Sequence, residues 1–501
     1  MTQTRLLAAA LAAGLAAGAA SAQTLRIGLA EDPDVLDPTM ARTFVGRIVF
    51  AGLCDKLFDI DDKLAIVPQL ATAFEWSGDA KTLLIKLRPG VKFHDGETMD
   101  AEAVKFSLER HLTLQGSFRR AEIGVVQTVE AVDPTTVKLT LATPFSPLIA
   151  AFTDRAGMIV SPKAAKEAGA QFGTKPVCAG PFKFVERVAQ DRIVAERFAD
   201  YWDKDRIHVQ RVIWQPIPDS TVRLANLQAG SLELIERLQP SDVPAVQRNA
   251  RLALVAGGSL GYQSITFNAA NGERAKGPIG NPKVRAAFDL AIDRATINQV
   301  VYDGQHIPTG QAVPPASPYH IASIGVPTRD IARAKQLLQE AGLPNPTIEV
   351  MVPNSPDVRQ VAEIVQAMVK EAGITVTIRA TEFATSLNEA EKGNYDVYIL
   401  GWSGRPDPDG NLYSFVTSKG PLNYGRWSNA EVDKLMDEAR TVSDIAARRA
   451  IYAKAAAITG AERPLIYLWH PKNLVAHTTK LTGFKPVPDG LLRLQDVKLA
   501  N

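Results

Sequence analysis

Residues 83–110 read LLIKLRPGVKFHDGETMDAEAVKFSLER and combine a strand, a tight turn and a helix in one uninterrupted stretch. The pattern of 82–87 predicts the strand, and 88-RPG-90 predicts the turn that follows it. Asp100 precedes the helical stretch 101–111, and its carboxylate can accept the orphan amide hydrogens of a helix start. The segment therefore predicts a mixed α/β structure.

The second half of the chain alternates strands with helices. Strands are predicted at 347–352, 374–380 and 395–402, and helices at 357–373 and 383–393. Parallel strands joined by crossover helices bind ligands beyond the carboxyl ends of the strands. We therefore expect the loop after residue 402 to lie at a ligand cleft.

That loop belongs to 401-GWSGRPDPDGNLYSF-415 and contains two aspartates, Asp407 and Asp409. An acid–base pair of a glycosidase flanks its bond from two sides, about 5–9.5 Å apart, and two aspartates on one turn are poorly placed for that. A calcium loop would need a glutamate where Ser418 stands. A turn or a cap for a helix near 411–416 is the simpler role, with ligand contact as the alternative.

The composition is that of an ordinary globular protein, with 501 residues, 46% hydrophobic and 22% charged residues. The net charge of +2 gives no support for a nucleic-acid partner. No H-E-x-x-H spacing, G-x-S-x-G elbow, Walker A loop or dinucleotide fingerprint is present. The absence of these motifs disfavours an enzyme, and our expectation is no catalytic residues, no metal and no cofactor, with the hydrolase alternative given below.

The first 22 residues predict a cleavable secretory signal peptide. Arg5 precedes the apolar run 6–20, and 20-ASA-22 matches an Ala-x-Ala cleavage site. A membrane anchor is the alternative, but the run of roughly fifteen residues is shorter than the about 20 needed to span a bilayer. The expected location is therefore the periplasm, as a soluble protein without direct membrane insertion.

The chain has two cysteines, Cys54 and Cys178. An even number of cysteines in an exported protein favours a disulfide, because the compartment is oxidising. Two free buried thiols are the alternative. Two cysteines alone would form only a weak metal site.

Several segments together resemble a known family. They are 83–110, 179-AGPFKF-184, 201-YW-202, 282-PKVRAAFDLAIDR-294, 401–415 and 423-NYGRWSNAEVDKLMDEAR-440. Their order and spacing resemble the extracytoplasmic solute-binding proteins of ABC importers, family 5, which includes dipeptide, oligopeptide, nickel and opine binders. The resemblance covers nearly the whole chain after residue 22.

The resemblance implies a two-lobed α/β periplasmic binding protein fold of class II, with a ligand cleft between the lobes. Lobe one would comprise 23–266, including an extra subdomain at about 62–178. Lobe two would comprise 267–471, and 472–501 would return to lobe one. The lobes would close over one solute, and hinge residues would absorb the backbone change.

The resemblance also implies the partners. The protein would be a monomer that delivers a small organic solute to membrane permease subunits, which work with cytoplasmic ATPases. Peptide-like and opine-like solutes both fit the family.

One residue departs from the peptide-binding members. They resemble this loop but carry an aspartate, which holds the peptide amino terminus, at the position of Arg405. A guanidinium would repel an ammonium group and could grip a carboxylate through two parallel hydrogen bonds. Arg405 therefore predicts a solute with a carboxylate. The alternative is that Arg405 pairs with Asp407, Asp409 or the acidic loop 31–34.

The predicted ligand-binding residues share a position at strand ends or beside the cleft. They are Arg405, Trp402, Asp407, Asp409, Tyr424, Phe383, Asn354, Asn268, Glu31 and Asp32. The aromatic members are expected to form apolar walls, and core packing is the alternative for each of them. Two other functions stay open from the sequence: an exported hydrolase that uses Asp407 and Asp409, and a chaperone-like protein that binds extended peptides nonspecifically.

Overall fold

The structure is a computed structural model that describes residues 23–500, so the predicted signal peptide lies outside the described residues. The strands are β1 (Thr24–Leu29), β2 (Phe58–Ile60), β3 (Ile66–Pro68), β4 (Ala71–Trp76), β5 (Thr82–Leu87), β6 (Val126–Asp133), β7 (Thr136–Leu141), β8 (Phe182–Val188), β9 (Arg192–Arg197), β10 (Arg211–Pro216), β11 (Leu234–Ile235), β12 (Leu252–Gly257), β13 (Tyr262–Phe267), β14 (Ile307–Pro308), β15 (Thr347–Pro353), β16 (Thr375–Thr381), β17 (Val397–Trp402), β18 (Leu465–His470), β19 (Asn473–Thr478), β20 (Leu481–Thr482) and β21 (Lys498–Leu499).

The α-helices are α1 (Phe44–Leu53), α2 (Ala101–Thr113), α3 (Arg120–Ile123), α4 (Leu148–Ala151), α5 (Pro162–Ala168), α6 (Ser220–Ala229), α7 (Val243–Arg248), α8 (Pro282–Leu290), α9 (Arg294–Tyr302), α10 (Ile331–Glu340), α11 (Pro356–Lys370), α12 (Phe383–Glu391), α13 (Asp409–Val416), α14 (Ala430–Thr441) and α15 (Ile445–Glu462). Short 3-10 turns connect several of them.

Lobe one is built on a seven-stranded sheet in the order β12-β19-β11-β1-β10-β9-β8. The central strand β1 is parallel to β10 and β11, whereas the strands toward both edges are antiparallel. Leu25, Ile27 and Leu29 of β1 are fully buried in the core of this lobe. The mixed α/β fold class predicted from the sequence is therefore confirmed.

An extra subdomain lies within lobe one. Its four-stranded antiparallel sheet has the order β4-β5-β7-β6, and its own core runs between Leu57 and Ala179. The Asp100 carboxylate accepts a hydrogen bond from the Ala103 amide and so caps α2, as predicted. The segment 83–110 thus forms one strand and one helix of this subdomain.

Lobe two contains a six-stranded sheet in the order β14-β18-β13-β17-β15-β16. Strands β15, β16 and β17 are parallel, with α11 and α12 as crossover helices, as the alternating pattern predicts. Strand β17 ends at Trp402, so the loop that follows leaves the carboxyl end of a parallel strand.

The chain crosses between the two large sheets twice. The first crossover joins β12 to β13, and the second joins β18 to β19. Strand β13 pairs with β17 and β18, so the change of sheet lies between Gly257 and Tyr262, a few residues before the predicted boundary at 266/267. Because β13 lies between two antiparallel neighbours, β17 and β18, all of it belongs to lobe two. The sequence pattern alone does not indicate this pairing.

Cys54 and Cys178 form a disulfide, with their Cα atoms 4.9 Å apart. Cys54 follows the last residue of α1, and Cys178 lies just before β8. The bond therefore closes a loop that contains the extra subdomain and ties both of its ends to lobe one.

Candidate ligand-binding site

A cleft between the lobes encloses a cavity of about 230 Å³. Lobe one contributes residues that follow β1 and β11, and lobe two contributes residues from the ends of β15 and β17. The wall contains several aromatic side chains, namely Phe44, Tyr262, Tyr302, Phe383, Trp402, Phe415, Tyr424 and Trp469. Charged side chains line the same cavity, including Glu31, Glu236, Arg237 and Asp357, and aromatic walls with converging polar groups are typical of small-molecule sites.

The loop after β17 is held against the first crossover. Gly404 has a φ of +80°, and a Cβ at this position would lie 2.2 Å from the backbone of Leu260. Only glycine tolerates both the left-handed conformation and this close approach. The indole nitrogen of Trp402 donates to Asn411 Oδ1, and its ring lies edge-on to Phe415 at 4.9 Å. These contacts hold Trp402 in the cleft wall.

Arg405 lies beside this cleft and lines an adjoining cavity. Its Nε is 2.5 Å from Asp154 Oδ2, and its guanidinium lies 4.4 Å from the centre of the Trp402 ring. The other oxygen of Asp154 accepts a hydrogen bond of 2.9 Å from Arg47 in α1. Arg405 therefore has an internal acidic partner, but this is Asp154 of lobe one and none of the acids named from the sequence.

Burial raises the pKa of Asp154, but the opposing fields of Arg405 and Arg47 hold that pKa well below its usual range. Burial, with repulsion from Arg47, lowers the pKa of Arg405 to about 10, although Asp154 opposes this shift. Both groups are thus charged at neutral pH. The pair is a buried ionic contact between the lobes.

Asp407 and Asp409 lie in the adjoining cavity and are each paired with an arginine. Both oxygens of Asp407 accept hydrogen bonds of 2.8 Å from Arg448, and Asp409 accepts bonds of 2.7 and 2.9 Å from Arg440. Asp407 also accepts the amide hydrogen of Asp409 and so forms a turn at the start of α13. Neither aspartate caps the helix with its side chain.

The two acids predicted in lobe one have different surroundings. Glu31 lines the cleft, and its Oε1 accepts a 2.8 Å hydrogen bond from Arg237. Asp32 is 6% exposed and accepts hydrogen bonds from the side chain of Arg187 and the amide of Gln190. The structure thus gives Asp32 a structural role, because these lobe-one groups occupy its carboxylate.

The two predicted asparagines lie away from the cavity. Asn268 is fully buried, and its side-chain amide donates to the backbone carbonyls of Asn271, Gly393 and Tyr395. It fixes the chain after β13 and has no room for a ligand. Asn354 is exposed just after β15, outside the residues that line the cleft.

Phe383 and Tyr424 both line the cleft, and their contact with a solute stays a prediction. Phe383 is half-buried at the start of α12, whereas Tyr424 is 3% exposed and also packs in the core around Tyr398. The structure therefore brings together Glu31, Phe383, Trp402 and Tyr424 in the main cleft.

Sequence reasoning missed Asp154, Arg237 and Asp357. Asp357 lies in the first turn of α11, just beyond the carboxyl end of β15, so the rule that located the loop after β17 could have found it. Arg237 follows β11 with a φ of +49°. Asp154 has no local signal, since only the packing of the subdomain against lobe two brings it to Arg405.

Within residues 23–500, no group of three or more His, Cys, Asp or Glu side chains is arranged to hold a metal ion. In the same range, no helix has both the length and the apolar character required to cross a membrane.

Comparison with known proteins places the chain in context. Residues 65–423 match the family model of bacterial extracellular solute-binding proteins, family 5. The glutathione-binding protein GsiB of Pectobacterium atrosepticum is 30% identical over 477 residues, which cover 93% of this chain and 92% of the relative. The GsiB protein of Escherichia coli K12 is 30% identical over 493 residues, covering 96% and 95% of the two chains.

Solved structures agree with this fold. The binding protein AgaA from A. tumefaciens R10, in complex with agropinic acid, is 27% identical and superposes with a TM-score of 0.86 over 95% of this chain and 99% of its own. DppA from Helicobacter pylori, in complex with the peptide STSA, has a TM-score of 0.88 at 24% identity over 95% and 98% of the chains. The latter likeness concerns the fold alone.

Proposed function

The chain belongs to the bacterial extracellular solute-binding proteins of family 5, and on this premise we propose that its solute is a small peptide-like or opine-like zwitterion. Proteins of this family are periplasmic substrate-binding components of ABC importers, so the chain is a transport protein and not an enzyme. The hydrolase hypothesis for Asp407 and Asp409 is therefore wrong. Both carboxylates are occupied by arginines.

Lobe one presents a charged group at one end of the cleft. Arg237 lies 2.8 Å from Glu31 and 3.3 Å from Glu236, so two carboxylates share one guanidinium. Burial raises the pKa of Glu31, Arg237 opposes the shift, and the neighbouring Glu236 and Asp357 add to it. The buried Arg223 also lines the cleft and lies in the field of Glu236, Asp357 and Glu31, so three acids face two guanidinium groups. This end of the cleft therefore favours one additional positive charge.

Lobe two presents Asp357 opposite this group, and this is the observation that carries the proposal. Its carboxylate accepts a hydrogen bond from the hydroxyl of Ser355, and no cationic side chain in the described part of the chain lies within ion-pair distance. Its field reaches both Glu31 and Arg237. An ammonium group between Glu31 and Asp357 would bind both lobes and so favour the closed form.

Aromatic side chains surround the rest of the cavity. Trp402 and Phe415 lie on one side, and Trp469 packs with Tyr302 near the second crossover. Burial of apolar surface against such rings contributes affinity without charge specificity. We therefore propose that the solute has a hydrocarbon or amide body between its charged ends, and that the carboxylate predicted from Arg405 is its second charged group.

The proposal extends to processing and assembly. The solute passes to ABC permease subunits, which work with ATPase subunits, as in the family. We further propose that the protein acts as a monomer and is exported by a signal peptide cleaved after Ala22. The predicted lobe limits are 23–266 and 267–471, with 472–501 returning to lobe one. We propose these limits with the first boundary moved to between Gly257 and Tyr262, where the chain changes sheet.

A panel of solutes tests the proposal. The panel contains glutathione, several dipeptides and agropinic acid, each with its N-acetylated form where it has a primary amine, and binding is measured by thermal shift and calorimetry. One solute class should bind with one-to-one stoichiometry and without chemical conversion. N-acetylation should weaken the binding affinity about tenfold or more, because a charge-assisted hydrogen bond is lost.

Three outcomes would contradict the proposal. Equal binding of the acetylated and free forms would remove the ammonium from the site. Product formation in the presence of the protein would revive the hydrolase hypothesis. Similar weak binding of many unrelated long peptides would favour the chaperone-like alternative.

A further inference from the structure

A second cavity adjoins the main cleft and contains an excess of buried positive charge. Arg42, Trp402 and Leu422 line both cavities and separate them. The second cavity has a volume of about 50 Å³. A buried water needs roughly 10–15 Å³ on such a scale, so a group of carboxylate size fits here and a whole dipeptide does not.

Three arginines line this cavity and are more than nine-tenths buried, namely Arg119, Arg155 and Arg405. Each keeps one guanidinium nitrogen that has no hydrogen-bond partner among the described residues: Nε of Arg119, Nε of Arg155 and Nη2 of Arg405. A buried donor without a partner costs roughly 1–3 kcal/mol, and more when it is charged. Asp154 Oδ2 in the same wall also lacks a hydrogen bond among the described residues. The wall therefore holds three unpartnered donors and one unpartnered acceptor, and an anion in the cavity would accept from the donors.

Other donors of these arginines bind groups within the protein. Arg155 Nη1 and Arg119 Nη2 both donate to the carbonyl of Ala41, at 2.7 and 3.2 Å. Arg119 also pairs with Glu122 at 2.6 Å, and Arg405 pairs with Asp154. The guanidinium groups are thus held in place before any ligand arrives.

The charges in this cluster do not balance. With Arg47, which also pairs with Asp154, four guanidinium groups face only two carboxylates, Asp154 and Glu122. The other acids in the wall, Asp407 and Asp409, are already paired with Arg448 and Arg440. Burial, followed by repulsion from Arg119, lowers the pKa of Arg155 well below its usual range.

We infer that this second cavity is an anion site that takes one carboxylate, with Arg119, Arg155 and Arg405 donating to its oxygens. The inference rests on the proposed function in one respect: the carboxylate is taken to be that of the transported solute, which extends past Trp402 from the main cleft into the second cavity. A free carboxylate anion has the same chemistry and is the other source. Occupancy joins lobe one to lobe two, since Arg119 and Arg155 belong to lobe one and Arg405 to lobe two.

Acetate is the probe for the site itself, and it requires no knowledge of the solute. Thermal shift of the full-length mature protein is measured against sodium acetate at constant ionic strength, with acetamide as the neutral control. Acetate should raise the melting temperature saturably, and acetamide should not. Arg405→Gln should weaken the apparent acetate affinity about tenfold or more, whereas the exposed Arg333→Gln should leave it within about twofold.

A built-in carboxylate provides a second test that does not depend on removing an arginine. Ala151 lines the cavity, so Ala151→Glu places an anion there, and Ala151→Gln is its neutral isostere. The Glu variant should melt several degrees above the Gln variant and should no longer respond to acetate. Equal melting temperatures of the two variants, or an acetate response identical in wild type and Arg405→Gln, would overturn the anion site.

A competition experiment distinguishes the two sources. Acetate is titrated in the presence of the panel member that gives the largest thermal shift. Competition would support the solute carboxylate as the occupant, and independent binding would overturn that source and assign the site to a free anion. If acetate binds but no panel member does, the proposed solute class is wrong and the anion site is still supported.

Discussion

Arg405 in lobe two and Asp154 in lobe one form an ion pair across the two halves of the molecule, with Nε 2.5 Å from Oδ2. The second oxygen of Asp154 is bound by Arg47, which also donates to the hydroxyl of Ser403 in the same loop. One buried carboxylate thus holds α1 and the loop after β17 together. Further contacts between the lobes join Arg42 to Glu391 and Arg440 to the carbonyl of Ala121.

Replacing Asp154 should destabilise the protein strongly. Asp154→Asn leaves Arg47 and Arg405 buried without their shared anion, and breaking a buried pair in this way typically costs about 3–5 kcal/mol. Urea unfolding at pH 7.5 gives the free energy, and small-angle scattering should show a larger solute-free radius. Glu130→Gln, which breaks the exposed pair with Lys138, is the control and should change stability far less. Equal costs would mean that Asp154 does not hold the lobes together.

Replacing Asp357 should weaken binding of the amino group of the solute. Asp357→Asn removes the charge that faces Glu31, so the dissociation constant from calorimetry should rise about tenfold or more. Glu363→Gln lies on the exposed side of the same helix and is the matched control. Unchanged affinity in Asp357→Asn would exclude this carboxylate from the site.

Replacing Asp407 should affect stability rather than chemistry. Asp407→Asn deprives Arg448, which is 1% exposed, of its bidentate partner, so unfolding should become easier by about 3 kcal/mol. Mass spectrometry of a peptide and glycoside library should show no product with either protein. A variant of normal stability with lost solute affinity would return Asp407 to the ligand site.

Reduction of the disulfide should lower stability markedly. The bond joins positions separated by 124 residues, and a loop of about 100 residues corresponds to roughly 4.7 kcal/mol in the chain-entropy model. Unfolding of the Cys54→Ser/Cys178→Ser variant measures the loss. A thiol assay on the unreduced, unfolded protein should detect no free thiol, and two thiols would show that the exported protein lacks the bond.

Acidification should destabilise the protein between about pH 6.5 and pH 4. Burial lowers the pKa of His111 to about 3 and that of His94 to about 4, whereas the unfolded chain takes up these protons near 6.5. The unfolded state therefore binds more protons in this window. The stabilisation of the folded protein that comes from keeping these histidines neutral is fully present above pH 6.5 and is lost as the pH falls.

Unfolding free energies measured from pH 7.5 down to pH 4 give the slope. His111→Gln should flatten it, because one buried proton acceptor is removed. A slope identical to that of wild type would mean that His111 is protonated as readily in the folded protein as in the unfolded chain.

The sequence was sufficient for the elements that local chemistry dictates. The alternating pattern of 82–87, the cap at Asp100 and the strand–helix order of 347–402 each depend on neighbours within a few residues, and all three predictions agree with the structure. The position of Trp402 at the cleft follows from the same reasoning, because the carboxyl end of a parallel strand is readable from the order of elements.

Tertiary structure alone decided the partners of the charged residues. Arg405 meets Asp154, and Glu31 meets Arg237, across separations of more than two hundred residues along the chain. Asn268 is equally informative. Its side-chain amide donates to the nearby carbonyl of Asn271 and to the distant carbonyls of Gly393 and Tyr395, so it is a buried structural group and not a ligand donor. Ionic and hydrogen-bond energies depend on distances and burial that sequence spacing does not encode. The sequence therefore determined the fold and the place of the cleft, whereas packing between the lobes determined which charges remain for a ligand.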